Sequence, residues 1–119
     1  MDSKIVRFTV DLAINDGKLD QFDSIAQEMI ACTLKEPGAL AYEWFLSADH
    51  KRCLLLETYA DANAVLAHMK GSAVGLVPKL LETSSINSFE VYGDPGVEAA
   101  KILTGIGAEI FPHWHGLGR

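Results

Sequence analysis

From Val6 the chain alternates: Val6, Phe8, Val10, Leu12 and Ile14 fall on one side, with Arg7, Thr9 and Asp11 on the other. That pattern predicts a strand with one dry face. Asn15-Asp16-Gly17 is turn chemistry. After it Leu19, Phe22, Ile25, Ala26, Met29 and Thr33 recur at helical steps, while Asp20, Ser24, Gln27 and Glu28 take the opposite side. This spacing predicts an amphipathic helix over 18–35, with Cys32 at the edge of its apolar stripe. Glu36-Pro37-Gly38 stops it, because proline lacks the next backbone donor and glycine tolerates the reversal.

A second strand over 40–46, a polar connection at Ala48-Asp49-His50-Lys51 and a third strand over 53–59 follow as a hairpin. Leu54-Leu55-Leu56 puts aliphatic side chains on both faces. The second strand likewise has Tyr42, Trp44 and Leu46 on one side and Ala41 and Phe45 on the other. Such strands belong in a sheet covered twice. Asp61 is a predicted N-cap for a second helix with Ala62, Val65, Leu66 and Met69 as its stripe. Gly71-Ser72 interrupts it. The segment 73–82 is helical again, and Gly75 and Pro78 predict a kinked or two-piece element. A fourth strand covers 86–92. Asp94-Pro95 has the N-cap and first-turn proline signature of a short helix ended by Gly105 and Gly107. The remaining tail, with Phe111, Trp114 and Leu117, is too apolar to be free and is expected to pack on the domain or on a partner.

The order strand, helix, strand, strand, helix, strand predicts an α+β fold: a ferredoxin-like split βαβ with a four-stranded antiparallel sheet and both helices on one face. The bare, apolar second face needs a cover, and the same face of a second copy supplies one. We expect one unit over 1–93 and a C-terminal helix and tail over 94–119.

With 119 residues, of which 49% are hydrophobic and 22% charged, the chain has the composition of one folded domain rather than of a disordered segment. Its apolar share is high for so small an interior, which points to surface meeting another subunit or a ligand. A net charge of −6 argues against nucleic-acid or anionic-membrane partners, both of which need clustered cations. No apolar run reaches the length of about 18 residues needed to span a bilayer, and MDSKIVRFTV lacks a signal-peptide core, so a cytoplasmic location is expected. The two cysteines, Cys32 and Cys53, are expected to be reduced.

Three stretches carry a family likeness. The run Glu36-Pro37-Gly38-Ala39-Leu40-Ala41-Tyr42-Glu43-Trp44, then Leu55-Leu56-Glu57-Thr58-Tyr59, then Asp61-Ala62-Asn63-Ala64-Val65-Leu66-Ala67-His68, resembles the antibiotic biosynthesis monooxygenase (ABM) family of dimeric α/β barrels. The likeness extends over 4–93, and Val91-Tyr92-Gly93-Asp94-Pro95 is similar to the way many members leave their last strand. It implies a homodimer and brings in cofactor-independent monooxygenases acting on phenolic or quinol substrates. It also brings in haem-degrading enzymes, signal-aldehyde-processing proteins and members without a known reaction. The haem-degrading pattern of Asn, Trp and His meets Val10, His68 and Pro78 here, so haem degradation is not expected.

His68 is the first catalytic candidate, since a neutral imidazole can take a proton from a phenol or quinol near neutral pH. Its place beyond the apolar stripe fits a solvated histidine equally well, whereas the resemblance implies one that reaches the cavity. Glu57 shares a face with Cys53, Leu55 and Tyr59; within so apolar a strand it is either paired or at an accessible cavity, where it would orient a donor such as His68, with an exposed strand end as the other reading. Tyr42, Trp44 and Tyr59 are candidate substrate-binding residues on an aromatic wall, with plain core packing as the other reading. Trp114 is expected to act as a lid. His113 and His115 have the spacing of a metal clip, but no third ligand is visible and no metal is expected; His50 is expected to be solvated.

The expected function is a cofactor-independent monooxygenase using O2 on a small aromatic or quinol-like molecule, with no bound cofactor. The alternative is a non-catalytic dimeric domain that binds a small molecule or regulates; a purely structural dimer module is a third reading.

Overall fold

A computed structural model describes residues 4–119, so the first three residues of the expected 1–93 unit lie outside the described residues. The elements are β1 (Val6–Ile14), α1 (Leu19–Thr33), β2 (Ala39–Leu46), β3 (Arg52–Tyr59), α2 (Ala62–Lys70), α3 (Ser72–Leu81), β4 (Ser84–Tyr92), α4 (Val97–Gly105) and β5 (Glu109–Phe111). The sheet order is β2-β3-β1-β4-β5. Its first four strands pair antiparallel, as the ferredoxin-like reading requires, and β5 joins the edge parallel to β4. The sheet therefore has five strands rather than the expected four. The added strand is three residues long, too short for alternation to reveal.

β1 lies in the centre of the sheet, and its period-two alternation turns one set of side chains toward the helices. Val6, Phe8, Val10 and Leu12 are buried beneath the helices with Cys53, Leu55, Tyr59, Phe89 and Val91 from the flanking strands. On α1 the buried positions are Phe22, Ala26, Met29 and Thr33, the predicted stripe. The opposite sheet face carries Arg52 paired with Asp11 at 2.6 Å. Beside that pair lie Phe45, Leu54 and Leu56, 49%, 43% and 42% exposed. The doubly apolar character read from Leu54-Leu55-Leu56 is thus real, and one of its faces is open in the single chain.

Two glycines allow close contacts around α2. A Cβ on Gly38 would lie 2.5 Å from Ala64 Cβ, so the start of β2 passes under α2 only because the position is bare. At Gly71 a Cβ would lie 2.7 Å from the Ala67 carbonyl oxygen. The predicted interruption is a full break into two helices. Pro78 is accommodated inside α3.

The junction after β4 differs from expectation. Asp94 is not the N-cap of α4: its carboxylate accepts from the Gly96 backbone N–H at 2.9 Å in a local turn. Gly96, at φ 83°, is the cap residue. The Asp-Pro pair therefore closes the turn ahead of the helix, which begins two residues later than the capping pattern suggests. A Lys70–Glu98 ion pair joins α2 to α4. Beyond Phe111 the chain is exposed, with Trp114 84% and Leu117 79% accessible. Among the described residues no helix is long and apolar enough to cross a membrane.

Candidate functional site

Strand β3 and helix α2 bring the polar candidates together inside the apolar layer. On the inner face of β3, Glu57 lies opposite Tyr42 of β2 and Phe8 of β1, and Tyr59 follows two residues on. Helix α2 begins where the Asp61 carboxylate accepts from the Ala64 N–H at 2.8 Å. That cap sets the phase of the helix, so Val65, His68 and Met69 turn inward. His68 is 3% exposed, which corrects the solvated reading allowed by its place beyond the apolar stripe. Glu57, at 5%, is buried rather than at an exposed strand end.

The Tyr59 hydroxyl donates to Glu57 Oε1 at 2.5 Å. His68 Nε2 lies 3.8 Å from the same oxygen, too far for a direct hydrogen bond. On its other edge, His68 Nδ1 is 2.8 Å from Glu36 Oε1 and 3.2 Å from Ser72 Oγ. The imidazole also packs on both tyrosines, with ring centroids 5.5 Å from Tyr42 and 5.1 Å from Tyr59.

Burial dominates the ionisation of this group. Desolvation pushes the Glu57 carboxyl up to about 7, against the opposing hydrogen bond from Tyr59, and the charge of Glu36 adds to the rise. Burial lowers His68 below the usual histidine value, opposed by its hydrogen bond to Glu36, so the ring is neutral at pH 7. Burial first, then the Glu57 charge, holds the hydroxyls of Tyr42 and Tyr59 far above the normal phenol range, and both remain protonated. A neutral base thus stands beside a carboxyl that gains or loses its proton near neutrality, the pairing suited to moving a proton at pH 7.

Beside this group is a cavity of about 60 Å3 between sheet and helices. Tyr42, Glu57 and His68 form its polar end, and Phe8, Val10, Met29, Leu55, Leu80 and Phe89 are among its apolar walls. No lysine or arginine lines it, so nothing there matches a phosphate or carboxylate.

Four of the sequence candidates, Tyr42, Glu57, Tyr59 and His68, therefore meet. Trp44 stands one ring away, edge-on to Tyr42 at 5.8 Å and to Phe22 at 5.9 Å. Its indole N–H is buried and finds no acceptor among the described residues. Trp114 does not reach this cavity: it lines a separate surface cleft of about 770 Å3 with Lys4, Arg7, Tyr92, Phe111 and His113. Among the described residues no group of three or more His, Cys, Asp and Glu side chains is placed to hold a metal ion. Cys32 and Cys53 are both unpaired, and burial pushes the Cys53 thiol up to about 11, the state of a packing residue.

Sequence reasoning missed Glu36 and Ser72. Glu36 sits in the Pro-Gly helix stop and Ser72 in the α2/α3 break, where both read as punctuation. Their contact joins segments 36 residues apart, which no local periodicity encodes.

Comparison with known proteins agrees with this architecture. No curated protein matches the chain. Among solved structures, MupZ from Pseudomonas fluorescens superposes with a TM-score of 0.79 at 23% identity, covering 98% of this chain and 96% of its own. A conserved protein from Bacteroides thetaiotaomicron, described as a possible oxidoreductase, gives 0.68 at 26% identity, covering 76% and 97% respectively. SnoaB from Streptomyces nogalater, a cofactor-independent oxygenase, gives 0.64 at 15% identity, covering 80% and 97%. Residues 5–75, which hold β1, the Glu36 turn, β3 and all of α2, match the sequence pattern of the antibiotic biosynthesis monooxygenases, and the protein belongs to that family.

Proposed function

We propose that the protein is a cofactor-independent monooxygenase acting with O2 on a small, neutral aromatic or quinol-like molecule. The observation that carries this reading is the neutral, buried His68 lining the cavity, its Nε2 3.8 Å from a carboxyl that titrates near pH 7. A substrate hydroxyl seated beside the pair donates its proton to Nε2 and accepts a hydrogen bond from protonated Glu57. The resulting electron-rich anion passes an electron to O2. Recombination at a ring C–H carbon forms a hydroperoxide, protonated by the proton that His68 took up; loss of that carbon's own proton then cleaves the O–O bond, leaving a carbonyl oxygen in the quinone product and releasing the other oxygen as water, so that the substrate supplies all four electrons. The protein contributes orientation, exclusion of water and one base. The apolar walls around a single polar end support a neutral substrate over an anionic one.

The working form in this proposal is a homodimer, with the Phe45, Leu54 and Leu56 patch covered by a second copy and the exposed Trp114 and Leu117 of the tail packed against that copy. A binding domain without turnover is the second reading. The cavity of about 60 Å3, well below the roughly 300–1,000 Å3 of ordinary ligand pockets, points instead to the third reading, a purely structural dimer module, which neither consumes O2 nor gains stability from ligand. Oxygen-electrode measurements over a panel of hydroquinones separate them. The enzyme consumes O2 over many turnovers, whereas the binder gains thermal stability with ligand and converts nothing.

A further inference from the structure

We infer that Glu36 is a positioning residue for His68: it fixes the imidazole in the tautomer that carries its proton on Nδ1 and leaves Nε2 free to accept one. This rests on the reading of His68 as the base, and it concerns an edge of the ring that never touches substrate.

Glu36 lies at the turn before β2, 32 residues from His68, and reaches the ring because Gly38 and Gly71 let α2 and α3 close over it. Each carboxylate oxygen has its own task. Oε2 faces two donors, the Ser72 hydroxyl at 2.7 Å and the Ser72 backbone N–H at 3.4 Å. Oε1 faces His68 Nδ1 at 2.8 Å. A carboxylate accepts and has nothing to donate, so the hydrogen on that contact belongs to Nδ1. Ser72 cannot reverse the arrangement: its single hydroxyl hydrogen goes to Glu36, and toward Nδ1 at 3.2 Å it can only accept. Thr33 Oγ1, 3.4 Å from Ser72 Oγ, borders the same cluster. The break between α2 and α3 thus presents both Ser72 donors to the carboxylate that orients the base on the preceding helix.

The same asymmetry dictates what the isosteric amide does. In Glu36→Gln the two Ser72 donors select the amide oxygen for the Oε2 position. The NH2 group then falls at the Oε1 position and points at Nδ1, which can meet it only as an acceptor. The proton moves to Nε2, and the base is lost while the packing is kept.

Nitrogen-15 NMR of the histidine ring reads this directly. In the wild-type protein at neutral pH we expect His68 Nδ1 to show the shift of a protonated ring nitrogen and Nε2 that of an unprotonated one; in Glu36→Gln the two exchange. Quinol-dependent O2 consumption in Glu36→Gln falls by about 100-fold or more, the size of a lost general base. A wild-type ring protonated on Nε2 overturns the inference, and needs no variant to fold. An unchanged tautomer in a folded Glu36→Gln protein also overturns it. If the tautomer exchanges as expected while no quinol is turned over by either protein, the role of Glu36 stands and the monooxygenase reading fails.

Discussion

Replacing Glu57 with glutamine keeps the shape of the site, including an oxygen able to accept from Tyr59 at the position now 2.5 Å away, and removes one ionisable group. Burial raises that carboxyl from the 4.5 usual for glutamate to about 7. Below pH 4.5 it is protonated in both folded and unfolded chains and does not affect their balance. Between pH 4.5 and 7 the folded protein holds a proton that the unfolded chain has released, so stability falls as pH rises; above 7 the loss is complete. At 1.36 kcal/mol per pH unit, the full effect is about 3 kcal/mol. His68 acts in the opposite direction, since a lowered histidine costs stability as pH falls through its ordinary value of 6.5. Burial lowers it and Glu36 opposes the lowering; both are retained in the variant, so the difference between the two proteins isolates Glu57. Urea unfolding of wild type and Glu57→Gln at one fixed protein concentration, from about pH 4.5 to 8, measures it. The advantage of the variant over wild type should grow by about 3 kcal/mol across that range and level off above pH 7. A constant difference at all these pH values would mean that Glu57 ionises like an exposed glutamate, and that burial does not raise its carboxyl toward neutrality.

Asp61→Ala removes the side chain that accepts from Ala64 N–H; it should cost about 1 kcal/mol by urea unfolding and accelerate hydrogen exchange at the start of α2. Gly71→Ala forces a Cβ to within 2.7 Å of the Ala67 carbonyl oxygen, and calorimetry should show a destabilisation of about 1–3 kcal/mol. Leu56→Asp puts a charge on the open apolar face of the sheet, where Leu56 is 42% exposed. Light scattering should find wild type as a dimer and the variant as a monomer near 12.9 kDa; a monomeric wild type at micromolar concentration refutes the proposed assembly.

Most of the scaffold can be read along the chain because its signals are local. Val6 to Ile14 alternates with period two, and Leu19 to Thr33 steps at helical spacing, since each element buries one face. The fifth strand escaped because Glu109–Phe111 is too short for a period and takes its register from β4. His68 shows the limit of a helical wheel. The stripe of α2 describes contact with the sheet alone, whereas His68 is enclosed by β2, β3 and the Glu36 turn together. Glu57 was visible as a carboxylate out of place in an apolar strand, and its partner Tyr59 lay two residues along the same face. Glu36 and Ser72 gave no comparable sign, because their work depends on two chain breaks being folded against each other. The fate of Trp114 is likewise a matter of tertiary placement: its bulk predicts a covered position, yet within one chain it stands exposed over a different cleft.

The proposed function turns on His68 as the base that initiates reaction with oxygen. Its most direct test is O2 consumption by purified wild type and His68→Ala with the most active hydroquinone of the panel, after circular dichroism has shown both to be folded. Wild type should show multiple turnovers and the variant a rate at least about 100-fold lower. Equal rates in the two proteins would contradict that role.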